Sequence, residues 1–188
     1  MAAIEASSPA SSPDAGRLYD ELLVTLVQTG DRRAGERLAI RWQPRLARTA
    51  RRLLGDDEAA LVAVQEAWLS ILRNIAGLRD PSRFAPWAFG ILRRRCTDRI
   101  RQMQADRARR GESEDEPALP AAAVDALAIR QAFAALPGDQ RLAAQLFFVE
   151  GLTLAEIAEV QEVPPGTAKT RLFHARRKLK AALSGDET

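Results

Sequence analysis

Residues 151–180 read GLTLAEIAEVQEVPPGTAKTRLFHARRKLK, two short helical runs separated by a tight break. Thr153 and Glu156 have capping-box spacing: the hydroxyl can accept from the amide near Glu156 while the carboxylate reaches back. Leu152 and Ile157 are placed to staple across that helix start. The run ends near Val160. Pro164-Pro165-Gly166-Thr167 can then open a second helix, because proline is tolerated in a first turn, where its missing N–H would be unpaired anyway. This is helix-turn-helix spacing. On the second helix Leu172, Ala175 and Leu179 face inward, leaving Lys169, Thr170, Phe173 and His174 on an outer flank suited to a DNA major groove. Lys169 to Lys180 holds six basic residues and no acid. Cations near a helix C-terminus also complement the helix dipole, so the charge alone would not argue for DNA. With the capped helix and the tight turn before it, DNA binding is the stronger reading.

Outward from this unit the chain keeps a helical period. Leu18, Leu22, Leu23, Leu26 and Val27 form one run, and Leu38, Trp42, Leu46, Ala50, Leu53 and Leu54 a second, with a break near Gly30. A third run, Leu61, Val64, Ala67, Trp68, Ile71, Leu72 and Ile75, stops near Gly77. Two prolines in Leu78–Pro86 disfavour helix before them and predict an ordered loop feeding a fourth helix from about Trp87. A helix over 124–136 and another over 139–150, parted by Pro137-Gly138, precede the helix-turn-helix. With 188 residues, 46% hydrophobic and 5% aromatic, the chain is predicted to be all-α. Two small helical domains are expected, residues 17–105 and 124–184. The acidic, proline-bearing stretch 106–123 should be a flexible linker, and residues 1–16 a disordered lead-in.

The net charge of +3 hides strong local asymmetry. Residues 93–110 carry eight arginines against Asp98 and Asp106, whereas residues 112–162 carry ten acids and two arginines. Trp68, Phe84, Trp87 and Phe89 lie near the arginine-rich helix and offer flat surfaces for unstacked bases, although Trp68 and Trp87 fit apolar faces and read better as packing residues. Loop residues Arg79 to Arg83 are freer to meet a partner. One cysteine and one histidine exclude an internal disulfide and a Cys/His zinc site, and no metal or cofactor is expected. Cys96 reads as a small buried hydrophobe. There is no glycine-rich phosphate loop and no paired histidine and nucleophile, so the reading is of a protein that is not an enzyme. Without a signal-like or membrane-spanning stretch, a cytoplasmic location with no membrane partner is expected.

These residues bear a family likeness. ALPGDQRLAAQLFFVEGLTLAEIAEVQEVPPGTAKTRLFHARRKLKAAL resembles region 4 of bacterial RNA polymerase sigma factors of the extracytoplasmic function (ECF) type, with Glu156-Ile157-Ala158 and Gly166-Thr167 the most specific residues. LLGDDEAALVAVQEAWLSIL and RFAPWAFGILRRRCTDRIR resemble region 2, with Gln65-Glu66, Phe84, Trp87, Asp98 and Arg101 on matching positions. The resemblance covers about residues 17–184. It implies an alternative sigma factor that binds the polymerase core and directs promoter recognition, melting and transcription initiation. Region 2 would dock on the β′ clamp helices through Asp57, Glu58, Val62, Gln65, Glu66, Trp68 and Leu69. Arg79, Ser82, Arg83, Phe84, Trp87, Arg94, Arg95 and Arg101 would serve the −10 element, with the Arg79–Arg83 loop capturing a flipped base. Region 4 would sit on the β flap and read the −35 element through Lys169, Thr170, Phe173 and His174, with Arg171 and Arg176 near phosphates. The rival is a stand-alone helix-turn-helix regulator, which would have no need of eight arginines in one segment.

The sequence departs from the pattern it resembles at three places. Ala59-Ala60-Leu61-Val62 replaces an acidic run that normally faces the clamp, for which Asp56, Asp57 and Glu58 would compensate. Alternatively a phosphate on Thr49 or Ser70, flanking this helix, would restore charge, which makes an activating kinase a candidate partner alongside the anti-sigma protein that restrains many relatives. Arg94 stands for asparagine and His174 for arginine, so a different −35 base preference is expected. Gln161-Glu162 replaces Leu-Gly, placing glutamate where a left-handed residue is needed.

Overall fold

A computed structural model describes residues 13–110, 129 and 131–184. Every regular element among them is helical. Helix α1 spans Pro13–Gln28, α2 Arg32–Leu54, α3 Asp57–Asn74 and α4 Phe84–Arg110, with single 3-10 turns at Ile75–Gly77 and Pro81–Arg83. In the second half a helical turn at 131–134 precedes α5, Gly138–Ala144, which runs into a π-helical turn at Gln145–Val149. Helices α6, Leu154–Gln161, and α7, Pro165–Ser184, complete the chain.

The boundaries follow local chemistry. Asp31 and Asp56 cap α2 and α3: Asp31 accepts from the amides of Arg33 and Ala34, and Asp56 from that of Ala59 at 2.7 Å. Gly55 ends α2 at φ 67°, a left-handed conformation open to glycine without steric cost. Two expected boundaries move. Residues 13–16 are helical rather than unstructured, since Pro13 at the first position needs no amide partner. Residues 106–110 prolong α4 instead of starting the linker; the rest of the expected linker, the helix expected from 124 as far as 128, and the lead-in over 1–12 lie outside the described residues.

In the first half α1, α2, α3 and α4 pack on one another around Trp42, whose ring meets Phe84 edge-on at 4.9 Å and Phe89 at 5.7 Å. In the second half α5, α6 and α7 pack together. The halves are also in contact, α4 against α6 and α2 against α5. One buried cluster includes Leu38, Trp42, Phe84 and Leu92 from the first half and Leu142, Leu146, Ile157 and Val160 from the second. The two-domain organisation expected from sequence is therefore, in this structure, two helical units sharing a seam.

Candidate nucleic-acid interface

The predicted capping box is complete: the Thr153 hydroxyl accepts from the Glu156 amide at 3.3 Å, and the Glu156 carboxylate accepts from the Thr153 amide at 2.7 Å. Both staple residues, Leu152 and Ile157, are buried. Glu162 turns the chain at φ 54°, the only positive φ outside glycine among the described residues. Along α7, Ala168, Leu172, Ala175 and Leu179 are buried, and Lys169, Thr170, Phe173 and Arg176 are exposed. His174 is half-buried with its ring 5.6 Å from that of Phe173. Arg171 is engaged within the fold: its Nε lies 2.9 Å from Asp139 and its Nη1 donates to Gln161 at 3.1 Å. It fixes the turn rather than standing free for a phosphate.

The loop before α4 is built by Asp80, whose carboxylate accepts from both the amide and the hydroxyl of Ser82. This presents Arg79 to solvent with no partner among the described residues. Behind it Ser70, Asn74, Trp87, Arg94, Arg95 and Asp98 line an open cleft of about 550 Å³. Arg95 donates to Ser70 Oγ at 2.7 Å, and Arg101 lies 3.9 Å from Asp98. Trp87 is half-buried with its ring 6.0 Å from Phe84. Phe84 itself is 1% exposed; it is a core residue and not a base contact. Cys96 is buried as expected, and burial pushes its thiol up to about 12, which leaves it protonated and unreactive.

On α3 the expected docking residues divide. Asp57, Glu58, Gln65 and Leu69 are exposed, while Val62, Glu66 and Trp68 are half-buried. Trp68 donates from Nε1 to Gln43 at 2.6 Å. Ala59 and Ala60 are core residues, so carboxylates there would be buried; Asp56 is used as a cap, and Asp57 pairs with Arg51 at 3.2 Å. Of the three acids expected to compensate, Glu58 alone makes no such contact. Thr49 is 1% exposed, held by Gln145 and Glu150. A kinase could not reach it while the halves are together. Ser70 is half-buried under Arg95.

Two surfaces were not read from sequence. Leu61 and Leu72, assigned to an inward face, are each 54% exposed and extend the Gln65–Leu69 strip along α3. The π turn rotates Phe147, Phe148 and Val149 outward, at 40, 50 and 37% exposure. Such turns are concentrated at functional sites; a run of apolar residues gives no sign of one.

Residues 38–106 match the profile of Sigma-70 region 2, and residues 126–179 that of Sigma-70, region 4. The chain belongs to the ECF sigma factors. Similar curated proteins include the RNA polymerase sigma-H factor of Pseudomonas aeruginosa, 29% identical over 87% of this chain and 93% of that protein. The ECF RNA polymerase sigma-E factor of Escherichia coli K12 is 28% identical over the same shares of the two chains. Among solved structures, RpoE from Bartonella quintana, in a complex with the anti-sigma factor NepR, matches with a TM-score of 0.70 at 23% identity, covering 81% of this chain and 98% of its own. CnrH, in a complex with the cytosolic domain of CnrY, matches with 0.66 at 22%, covering 90% and 99%. As an alternative sigma factor the chain binds RNA polymerase core and directs promoter recognition and transcription initiation. No described helix is long and apolar enough to cross a membrane.

Proposed function

We propose that this sigma factor reads a −35 element through Lys169, Thr170, Phe173, His174 and Arg176 on α7, and a −10 element through the Arg79–Arg83 loop, Trp87, Arg94, Arg95 and Arg101. The observation that carries the reading is α7 itself: its apolar face is wholly engaged in the fold, and its opposite face is basic, exposed and led by a capped helix and tight turn. Basic side chains supply the salt-sensitive phosphate affinity, and the polar and aromatic ones meet base edges. Exposed Gln65 and Leu69, with Leu61 and Leu72, form the strip of α3 offered to the β′ clamp helices. Phe147, Phe148 and Val149 offer the apolar contact to the β flap. An anti-sigma protein would find the same two apolar surfaces available. The stand-alone regulator has no observation in its favour, because residues 38–106 match region 2.

The test is run-off transcription by purified core polymerase and this chain from a promoter library randomised at the −35 positions. Wild type should support run-off and select a defined element. His174→Arg should shift the preferred bases towards a guanine, since arginine forks onto O6 and N7 and histidine does not. An unaltered preference would remove His174 from the reading face, and absence of run-off would remove the site assignment as a whole.

A further inference from the structure

The acids of the second half rest on the arginines of the first. Arg17 reaches Glu156 at 3.4 Å, Arg45 and Arg48 hold Glu150 at 2.9 and 3.4 Å, Arg83 pairs with Glu159, and Arg93 and Arg94 hold Glu162 at 3.2 and 2.7 Å. Arg17, Arg45 and Arg48 lie away from the residues assigned to the −10 element. The Glu159 and Glu162 contacts fall on them or beside them. The geometry at Glu162 is that of an oxyanion seated in a guanidinium fork: Oε1 accepts from both Nε and Nη2 of Arg94, at 3.0 and 2.7 Å, while Oε2 faces Arg93. A DNA phosphate makes the same fork.

We infer that Glu159 and Glu162 act as phosphate stand-ins, latching α6 onto Arg83, Arg93 and Arg94 so that the free chain is held closed with reduced affinity for a promoter strand. Three observations carry this beyond an incidental surface contact. Glu162 and Glu159 are three residues apart and meet one basic surface together, the turn of a helix setting their spacing. Glu162 holds a left-handed conformation that costs a residue other than glycine about 1 kcal/mol, and its carboxyl is kept below its ordinary range by hydrogen bonds from Arg94 and then Arg93. Arg94 also lines the cleft behind the loop, so the latch pins a wall of the proposed strand site.

The side chains of Arg83, Arg94, Glu159 and Glu162 remain between 44 and 66% exposed. A strand therefore meets no steric wall, and the competition is electrostatic and salt-sensitive. Beneath the pairs the apolar seam of Ile157, Ala158 and Val160 keeps the halves in register. The ion pairs set how readily it opens. The strand-binding part of the inference rests on the −10 assignment above; the latch does not.

The experiment uses the full chain with fluorophores at Arg37→Cys and Lys180→Cys, one on each half, and reads energy transfer alone and then binding of a short fluorescein-labelled single-stranded DNA to unlabelled protein. Glu159→Gln with Glu162→Gly, which also relieves the left-handed strain, should raise the open-to-closed ratio and the DNA affinity each by about tenfold at low salt. The differences should shrink at high salt. Glu21→Gln with Glu36→Gln removes as much charge elsewhere and should leave both readings at wild-type values. Arg94→Asn, breaking the fork from the other side, should open the chain as well. Energy transfer unchanged in both latch variants would overturn the latch. Opening with DNA affinity no greater than that of the charge control would overturn the stand-in role. An opened chain that binds no DNA at all would overturn the inference through the −10 assignment on which it rests.

Discussion

Phe84 and Glu162 show how much a single side chain's meaning depends on what faces it. Phe84 is aromatic, follows a basic loop and falls on a region 2 position, which is why it reads as a base contact from sequence; the Trp42 ring against it at 4.9 Å makes it a core residue. Periodicity gives the inward face of a helix, but here the helix begins at Phe84, earlier than the prolines suggest, so the apparent loop residue is the first inward one. Replacing Phe84 with alanine should lower the unfolding free energy by about 3–5 kcal/mol, as for a buried aromatic. Urea denaturation followed by circular dichroism reads this; a fully stable variant with weakened DNA binding would return Phe84 to the interface. Glu162 is the reverse case. Its left-handed turn was legible as a departure from a glycine, and so was Arg94 as a departure from an asparagine. That the two departures face each other at 2.7 Å was not, because sequence gives no distance between residues 68 apart.

Among the elements, the helix-turn-helix was almost wholly legible. Its signals are local: a capping box, a staple, a proline-led second helix and a clean split of apolar and basic faces each involve residues within one or two turns. The π turn was not, since Gln145-Leu146-Phe147-Phe148-Val149 fits a buried α-helix equally well, and it is the tertiary demand on Gln145 and Leu146, both fully buried, that shapes the backbone. The capping box can be isolated by substitution. Thr153→Ala leaves the Glu156 amide without its acceptor and should cost about 1 kcal/mol, within the 0.5–2 kcal/mol range for such caps. Thr153→Ser should retain most of the stability. Thermal unfolding of the two variants beside wild type provides the check, and equal midpoints for all three would mean that the seam, not the cap, sets the start of α6.

At the scale of the whole molecule, charge asymmetry between the halves was visible from composition, but it suggested two domains kept apart by an acidic linker rather than two surfaces in contact. The buried centre of that contact is Glu150, whose side chain is fully enclosed between Arg45 and Arg48. Arg45 also stacks over Trp42, its guanidinium carbon 4.1 Å from the ring centroid, so one side chain joins the core of the first half to the carboxylate of the second. Thr49 lies beside this group, its hydroxyl 3.5 Å from Glu150 Oε1 and 3.4 Å from the Gln145 amide. A second negative charge at residue 49 would face Glu150 across a site closed to water, where like charges are costly and the pairing arginines are already shared. Parting the halves relieves that conflict without dismantling either, since the helices of each half pack on one another independently of the seam. Thr49→Glu should therefore yield an expanded chain, eluting earlier in gel filtration and unfolding in two separated urea transitions, while Thr49→Ser keeps the wild-type volume and a single transition. An unexpanded Thr49→Glu chain with one transition would show that the seam accommodates the charge, and that negative charge at residue 49 cannot open the molecule.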